Sequence, residues 1–359
     1  MKKRILHLNT NLDVTSGVTR HIQLLTKNLS EDYEHHIIAF TKRTVNGYLF
    51  GDSTLICGIR TPDLISKLVV PFFIWRYARK NKIDIIHSHH RYFDLVAAII
   101  SKFIHVRTIT TVHSKVKGKK RISYRASTIV AVSKSINDHL LNYFGVERCR
   151  LKLINYFIDL DAIKCTQSKS VMRSQLGVIP DEILIGYVGR LDFREKGIDL
   201  LIEAFKLLKK EYSNIRLMLV GGGKDLKTIM KMNSDENLGI LIKEPEENVF
   251  NVFQCIDLFV LPSRVDPFPY VMMEAATLKI PIIASRVDGI PEFIDDNVDG
   301  FLFETNDVRN LVTEVKSLLN DENLRYKFSG RLYEKIIDKY EKSKMLPYYI
   351  DLYNGTLSL

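Results

Sequence analysis

Long hydrophobic runs are missing from this 359-residue chain. The longest uninterrupted apolar stretch covers residues 68–75, far short of the roughly 20 residues that span a bilayer as a helix. The chain opens with Lys2-Lys3-Arg4, but the apolar stretch behind it ends at Asn9, too soon for a secretory signal. Cysteine is scarce. Cys57, Cys149, Cys165 and Cys255 are scattered, with no metal-like or redox-like spacing, and read as the reduced thiols of a cytoplasmic protein. Internal repeats and low-complexity tracts are missing too. Histidine does not occur after His139.

What is present fits a soluble globular protein: 46% hydrophobic and 26% charged residues, with length enough for two ordinary domains. The charge is uneven. Residues 1–165 carry 27 Lys and Arg against 12 Asp and Glu, a net of +15; the remainder carries 25 against 30, a net of −5, and the two sum to +10. A basic first half implies an anionic partner, and nucleic acid, a membrane surface and a phosphorylated acceptor all meet that description. No helix-turn-helix or RNA-binding sheet signature accompanies the charge, so nucleic acid is not the expected partner.

Residues 4–8 are a short apolar strand, 9–19 a polar loop holding one glycine, Gly17, and 20–29 a helix by pattern. A strand, a glycine loop and a helix start can cradle a phosphate, and a plain connection fits equally well. Strand-like runs recur at 35–40, 84–87, 108–112 and 128–132, and 151–158 reads as the last strand of the first domain. Such alternation predicts a parallel sheet covered by helices, with ligands at the carboxyl ends of the strands. Gly17, the cluster His87-Ser88-His89-His90 and His113 fall there. His87 and His89 share a face at their spacing, but no third ligand stands nearby in sequence, so zinc is not expected. Residues 64–82 run from aromatic (Phe72, Phe73, Trp75, Tyr77) to basic (Arg76, Arg79, Lys80, Lys82), as a helix that covers a sheet or one that lies on a membrane. Residues 115–125 hold six basic residues, among them Lys117, Lys119, Lys120 and Arg121, and no acid. A solvated loop and an anion contact both remain open there.

In the second half, 183–188 is a strand, Gly189-Arg190-Leu191-Asp192 a turn, and Lys196-Gly197 opens a helix over 198–210. A cation at a strand end and another at a helix start form a clamp for a diphosphate. The strand 216–220 leads into Gly221-Gly222-Gly223, which permits close approach of a backbone or a flat ring. Residues 262–274 read strand end, tight loop and helix start, with carboxylates at Asp266 and Glu274 and backbone N–H groups at the helix start that suit an anion.

These blocks, with Gly289-Ile290-Pro291-Glu292 and Asn297-Val298-Asp299-Gly300-Phe301-Leu302 behind them, resemble the retaining glycosyltransferases of family 4. The resemblance is strong over residues 186–303 and patchy before 160. It implies a GT-B fold, two Rossmann-like parallel-sheet domains facing across a cleft: residues 1–165 for the acceptor, 166–340 for the nucleotide sugar, and a last helix, 341–359, crossing back to the first domain. It implies that Asp159-Leu160-Asp161 belongs to the domain linker and is no metal motif. His113, after Thr110-Thr111-Val112, comes close to the sugar and is catalytic with Arg190, Lys196 and Asp266. The donor is held by Gly17, Gly189, Arg190, Lys196, Gly222, Asp266, Phe268, Tyr270, Val271 and Glu274, with residues 244–249 near the nucleobase. His89 and the basic segment at Lys117, Lys119, Lys120 and Arg121 face the acceptor or a membrane.

The implied reaction moves a sugar from a UDP- or GDP-linked donor to a glycan or a polyprenyl-diphosphate-linked acceptor, with retention, no metal and no cofactor besides the donor. The enzyme would be cytoplasmic, peripheral on the inner face of the membrane. The chain departs from the family where Asp266 replaces Glu and Pro267 and Pro269 replace glycines. Those changes remove two backbone donors and leave a catalytically silent GT-B subunit as an alternative. An epimerase or phosphorylase would share the fold.

Overall fold

This computed structural model describes residues 2–13, 16–40, 50, 52–57, 63–244 and 248–357. The chain forms two compact units, Met1–Tyr156 with Leu346–Leu359, and Phe157–Met345. Each is built on one parallel sheet, and the fold is of the Rossmann-like α/β kind in both.

The first sheet has seven strands: β1 (Lys3–Asn9), β2 (Tyr33–Ala39), β3 (Thr54–Cys57), β4 (Ile85–Ser88), β5 (Arg107–Val112), β6 (Thr128–Ala131) and β7 (Leu151–Leu153). Their order is β3-β2-β1-β4-β5-β6-β7, all parallel. Ile5, Leu6, Leu8, Ile37, Ile38, Ile86, Ile109, Ile129 and Val130 are fully buried, as expected where helices cover both faces of a parallel sheet. Each such side chain contributes about 1.5–3 kcal/mol. The strand expected over 151–158 stops at Leu153. Beyond it Ile158 pairs with Glu341, its N–H donating to Tyr340 O at 2.8 Å and its carbonyl accepting from Lys342 N at 2.9 Å. Residues 157–165, read from the sequence as the end of the first domain, therefore bond within the second unit.

The second sheet has six strands: β8 (Ile183–Val188), β9 (Ile215–Val220), β10 (Leu241–Lys243), β11 (Leu258–Leu261), β12 (Ile282–Ser285) and β13 (Phe301–Phe303). Their order is β10-β9-β8-β11-β12-β13, again parallel. The helix Ile198–Leu208 buries Ile198, Leu201, Ile202, Phe205 and Leu208, the three-and-four spacing of one helical face. Each sheet reverses its strand order once, between β1 and β4 and between β8 and β11. Open parallel sheets bind ligands outside the carboxyl ends of the strands at such a point.

Candidate active site at the carboxyl ends of the strands

In the second unit the reversal brings together the loops after β8 and β11. Gly197 is the reason they pack closely. It has φ +64°, and a Cβ there would lie 2.0 Å from the Pro262 carbonyl oxygen. Leading into it, the short helix Phe193–Lys196 is capped by Asp192, whose carboxylate accepts from Glu195 N at 2.9 Å. Glu195 O in turn accepts from Arg264 N at 2.7 Å and Val265 N at 3.1 Å. The Arg264 guanidinium forks onto Asp199, both contacts at 2.7 Å. The two loops are thus one hydrogen-bonded body.

On that body Lys196 Nζ stands 2.6 Å from Asp266 Oδ2. Both side chains are mostly buried, and Asp266 Oδ2 also accepts from Ser263 Oγ at 3.0 Å. The Asp266 N–H donates to Asp288 at 3.0 Å. Arg190 is half-exposed and lies 2.5 Å from Glu195 and 3.8 Å from Asp192, while Lys224 lies 3.2 Å from Asp192. Burial works against the Asp192 charge, but the Glu195 N–H, Lys224 and Arg190 outweigh it and hold the pKa below the ordinary carboxylate value. Arg190, Lys196 and Lys224 therefore meet at this edge, each paired with a carboxylate.

Other expected donor residues lie around the same edge. Gly189 directly follows β8, and Gly222 O accepts from Leu191 N at 2.9 Å. The close backbone approaches in the glycine run are at Gly221, where φ is +149° and a Cβ would lie 1.8 Å from Gly189 O, and at Gly223, where a Cβ would lie 2.2 Å from Leu191 O. At Gly222 a Cβ would meet nothing within 4 Å. The helix Tyr270–Thr277 starts just past Asp266. Phe268 is buried against Phe293 and Tyr340, and Tyr270 is buried too. Val271 is half-buried, and Glu274 is buried in the second turn. Residues 245–247 of the expected nucleobase loop lie outside the described residues.

In the first unit Gly17 opens the helix Gly17–Asn28, and residues 14–15 of its loop lie outside the described residues. The histidines form a network. His35 Nδ1 and His7 Nε2 are 3.0 Å apart, His7 Nδ1 and His89 Nε2 3.1 Å, His89 Nδ1 and His113 Nε2 3.1 Å, and His113 Nδ1 and the Tyr156 hydroxyl 2.5 Å. Both ring nitrogens of His113 are thereby engaged. His87 bonds Tyr353 at 2.9 Å and Thr111 at 2.7 Å instead. Burial is the main force lowering every one of these imidazoles: His87 and His113 to about 3, His35 to about 4, and His7 and His89 well below the usual value.

His7, His87 and His89 also bring one ring nitrogen each within 4.8 Å of one another. The third member of that set, His7, stands eighty residues from the pair found by spacing. Its one signal in the sequence is a titratable residue inside an apolar strand, where an unpartnered polar group is costly. Tyr156, Ser263, Asp288 and Lys224 had no such signal.

The basic segment is anchored by its backbone. Val116 O is 2.7 Å from His139 Nε2, Lys117 O and Gly118 O each accept from Arg91 at 3.1 Å, and Gly118 N–H donates to the Tyr143 hydroxyl at 2.9 Å. Lys117, Lys119, Lys120 and Arg121 are exposed, with Lys120 Nζ 4.1 Å above the Tyr143 ring.

Two Rossmann-like parallel-sheet units define the GT-B architecture. The structure of Anabaena HepE in complex with UDP-glucose shares it, with a TM-score of 0.85 at 18% identity, covering 98% of this chain and 99% of that one. Residues 168–335 match the glycosyl transferases group 1 and residues 15–162 match Glycosyltransferase Family 4. The chain belongs to the group 1 glycosyltransferases. Its relatives include N-acetyl-alpha-D-glucosaminyl L-malate synthase of Bacillus anthracis, 24% identical over 78% of this chain and 77% of that one. A capsular polysaccharide biosynthesis glycosyltransferase of Staphylococcus aureus is 23% identical over 67% of this chain and 64% of that one.

Proposed function

We propose that this glycosyltransferase moves a sugar from a UDP- or GDP-linked donor, with retention, to a glycan or a polyprenyl-diphosphate-linked acceptor in the synthesis of a cell-surface polysaccharide. The observation that carries the reading is the meeting of Arg190, Lys196 and Asp266 where the second sheet reverses its strand order. The leaving nucleoside diphosphate gains charge as the sugar departs, and preorganised cations and helix-start N–H groups at that point stabilise it. Arg190 and Lys196 take this role in place of a metal ion. Asp266 then accepts from hydroxyls of the donor sugar, and Glu274 from the ribose hydroxyls. Asp266 is held by Lys196 and Ser263, which suits an acceptor of hydrogen bonds better than a nucleophile. In that case the acceptor attacks on the face the phosphate leaves, and the departing phosphate takes its proton. The comparisons that support this reading are the UDP-glucose complex of the structural neighbour and the capsular polysaccharide role of the S. aureus relative.

The test is turnover of a panel of UDP- and GDP-sugars, each with and without lipid-linked acceptors. Transfer or donor hydrolysis with at least one donor is expected. Nucleotide binding without turnover of any donor would instead identify a catalytically silent subunit.

A further inference from the structure

The hydrogen bonds from His35 through His7, His89 and His113 to Tyr156 leave little freedom for their protons. A neutral imidazole has one N–H and one bare nitrogen, and in a ring-to-ring bond one partner must donate and the other accept. His7, His89 and His113 each use both nitrogens within this chain of bonds. Suppose His113 carries its proton on Nε2. It then donates to His89 Nδ1, which must be bare, so His89 carries its proton on Nε2. By the same step His7 carries its proton on Nε2 and donates to His35 Nδ1, which leaves the His35 proton on Nε2. The Tyr156 hydroxyl donates to His113 Nδ1. The opposite polarity puts every proton on Nδ1 and makes Tyr156 the acceptor. Any mixture faces N–H against N–H, or lone pair against lone pair, inside the protein, where an unmatched polar atom is costly.

We propose that the four imidazoles act as one two-state element with a single shared tautomer. His35, His7 and His89 are then positioning residues that fix, through this element, the ring of His113 and the direction of the Tyr156 hydroxyl. The positioning role rests on the glycosyl-transfer reading, which counts His113 among the catalytic residues; the shared tautomer does not. His87 stands beside the chain of bonds, on Tyr353 and Thr111, and is independent of it.

The test uses the full chain labelled with nitrogen-15 in histidine only, which gives ten residues to assign. Long-range proton–nitrogen spectra at neutral pH report which ring nitrogen is protonated. One nitrogen, the same in His7, His35, His89 and His113, is the expected pattern; a mixed pattern overturns the proposal. Stoichiometric zinc uptake in a zinc titration that removes the shared pattern also overturns it, because a metal would take the lone pairs the bonds require. For the positioning role, His35→Phe should lower kcat about tenfold with little change in KM, a part of the roughly 10²-fold that misplacing a group beside the chemistry can cost. His35→Asn, which returns a polar group near the Nδ1 position, should restore most of it, and Tyr156→Phe should lower kcat while keeping the ring. Unchanged kcat in His35→Phe, or no rescue by His35→Asn, overturns the positioning role. Calorimetry with nucleotide sugars separates the two readings. A shared tautomer without donor binding fails the glycosyl-transfer reading alone, and mixed tautomers with intact donor binding fail this one alone.

Discussion

Lys196 shows how much a single pairing decides. Its ammonium sits 2.6 Å from Asp266, so in the proposed reading an incoming diphosphate shares that cation with a carboxylate. Removing the carboxylate frees the lysine. Asp266→Asn should therefore leave the affinity for plain UDP or GDP unchanged or raise it, while weakening the nucleotide sugar. Glu274→Gln should weaken plain nucleotide as well. Calorimetry with both ligand types compares them, and equal loss of plain nucleotide affinity in the two variants would show the roles to be misassigned. Arg190→Ala and Lys196→Ala should each lower turnover by roughly 10²–10³, the range for losing one preorganised charge-stabilising group. Arg190 is half-exposed, and Asp192 keeps its Glu195 N–H and Lys224 partners without it, so its variant should keep the wild-type thermal midpoint. Near-normal turnover in both variants would sink the diphosphate assignment.

At the scale of elements, the second unit was the more legible because its candidate residues are contiguous with strand ends. A turn after β8 and a loop after β11 carry their chemistry in short blocks, and the apolar runs before them announce the strands. The same loops show why Gly197 is indispensable: Gly197→Ala would combine a positive φ with a collision against the Pro262 carbonyl. It should cost roughly 1–3 kcal/mol, read as a lowered denaturant midpoint, and an unchanged midpoint would mean the loops can separate freely. The first unit was less legible. β3 is short and was not expected, and the run 151–158 is apolar because it crosses from sheet packing to the second unit, which periodicity cannot distinguish from one strand. The histidine network was invisible because the parallel pairing of β1 with β2 and β4, and not sequence spacing, brings His7 to His35 and His89. That network has a consequence for stability. His35, His87 and His113 are held neutral down to about 4, 3 and 3, whereas the unfolded chain binds their protons near pH 6.5. Below that value the unfolded state holds more protons, so stability falls with falling pH by about 1.4 kcal/mol per pH unit for each group. The loss runs from pH 6.5 until the folded values are reached. Urea midpoints measured from about pH 7.5 down to 5 should drop steeply in the lower part of that range, and a flat profile would mean these imidazoles are already charged in the folded protein.

For the whole molecule the governing fact is the split in charge, +15 over residues 1–165 against −5 over the rest. No helix among the described residues is long and apolar enough to cross a membrane. The exposed large apolar side chains include Phe72, Phe103 and Ile122, the last within the basic segment itself. The backbone of that segment is tied to Arg91, His139 and Tyr143, which leaves Lys117, Lys119, Lys120 and Arg121 to point charge outward without ordering a loose loop first. Each Lys or Arg near an anionic bilayer contributes about 1 kcal/mol, so four suffice for measurable binding that weakens as salt shortens the screening length. Replacing these four by Ser should abolish co-sedimentation with anionic liposomes at low salt. Lys120 also covers the Tyr143 ring, a cation–π contact of about 0.5–1 kcal/mol at an exposed site, so a small fall in thermal midpoint is expected and does not count against the test. Wild-type binding should fade with added salt and be absent on neutral vesicles. If the fourfold variant binds anionic vesicles as well as wild type does, the segment is not the contact and is a solvated loop or a structural part of the first unit.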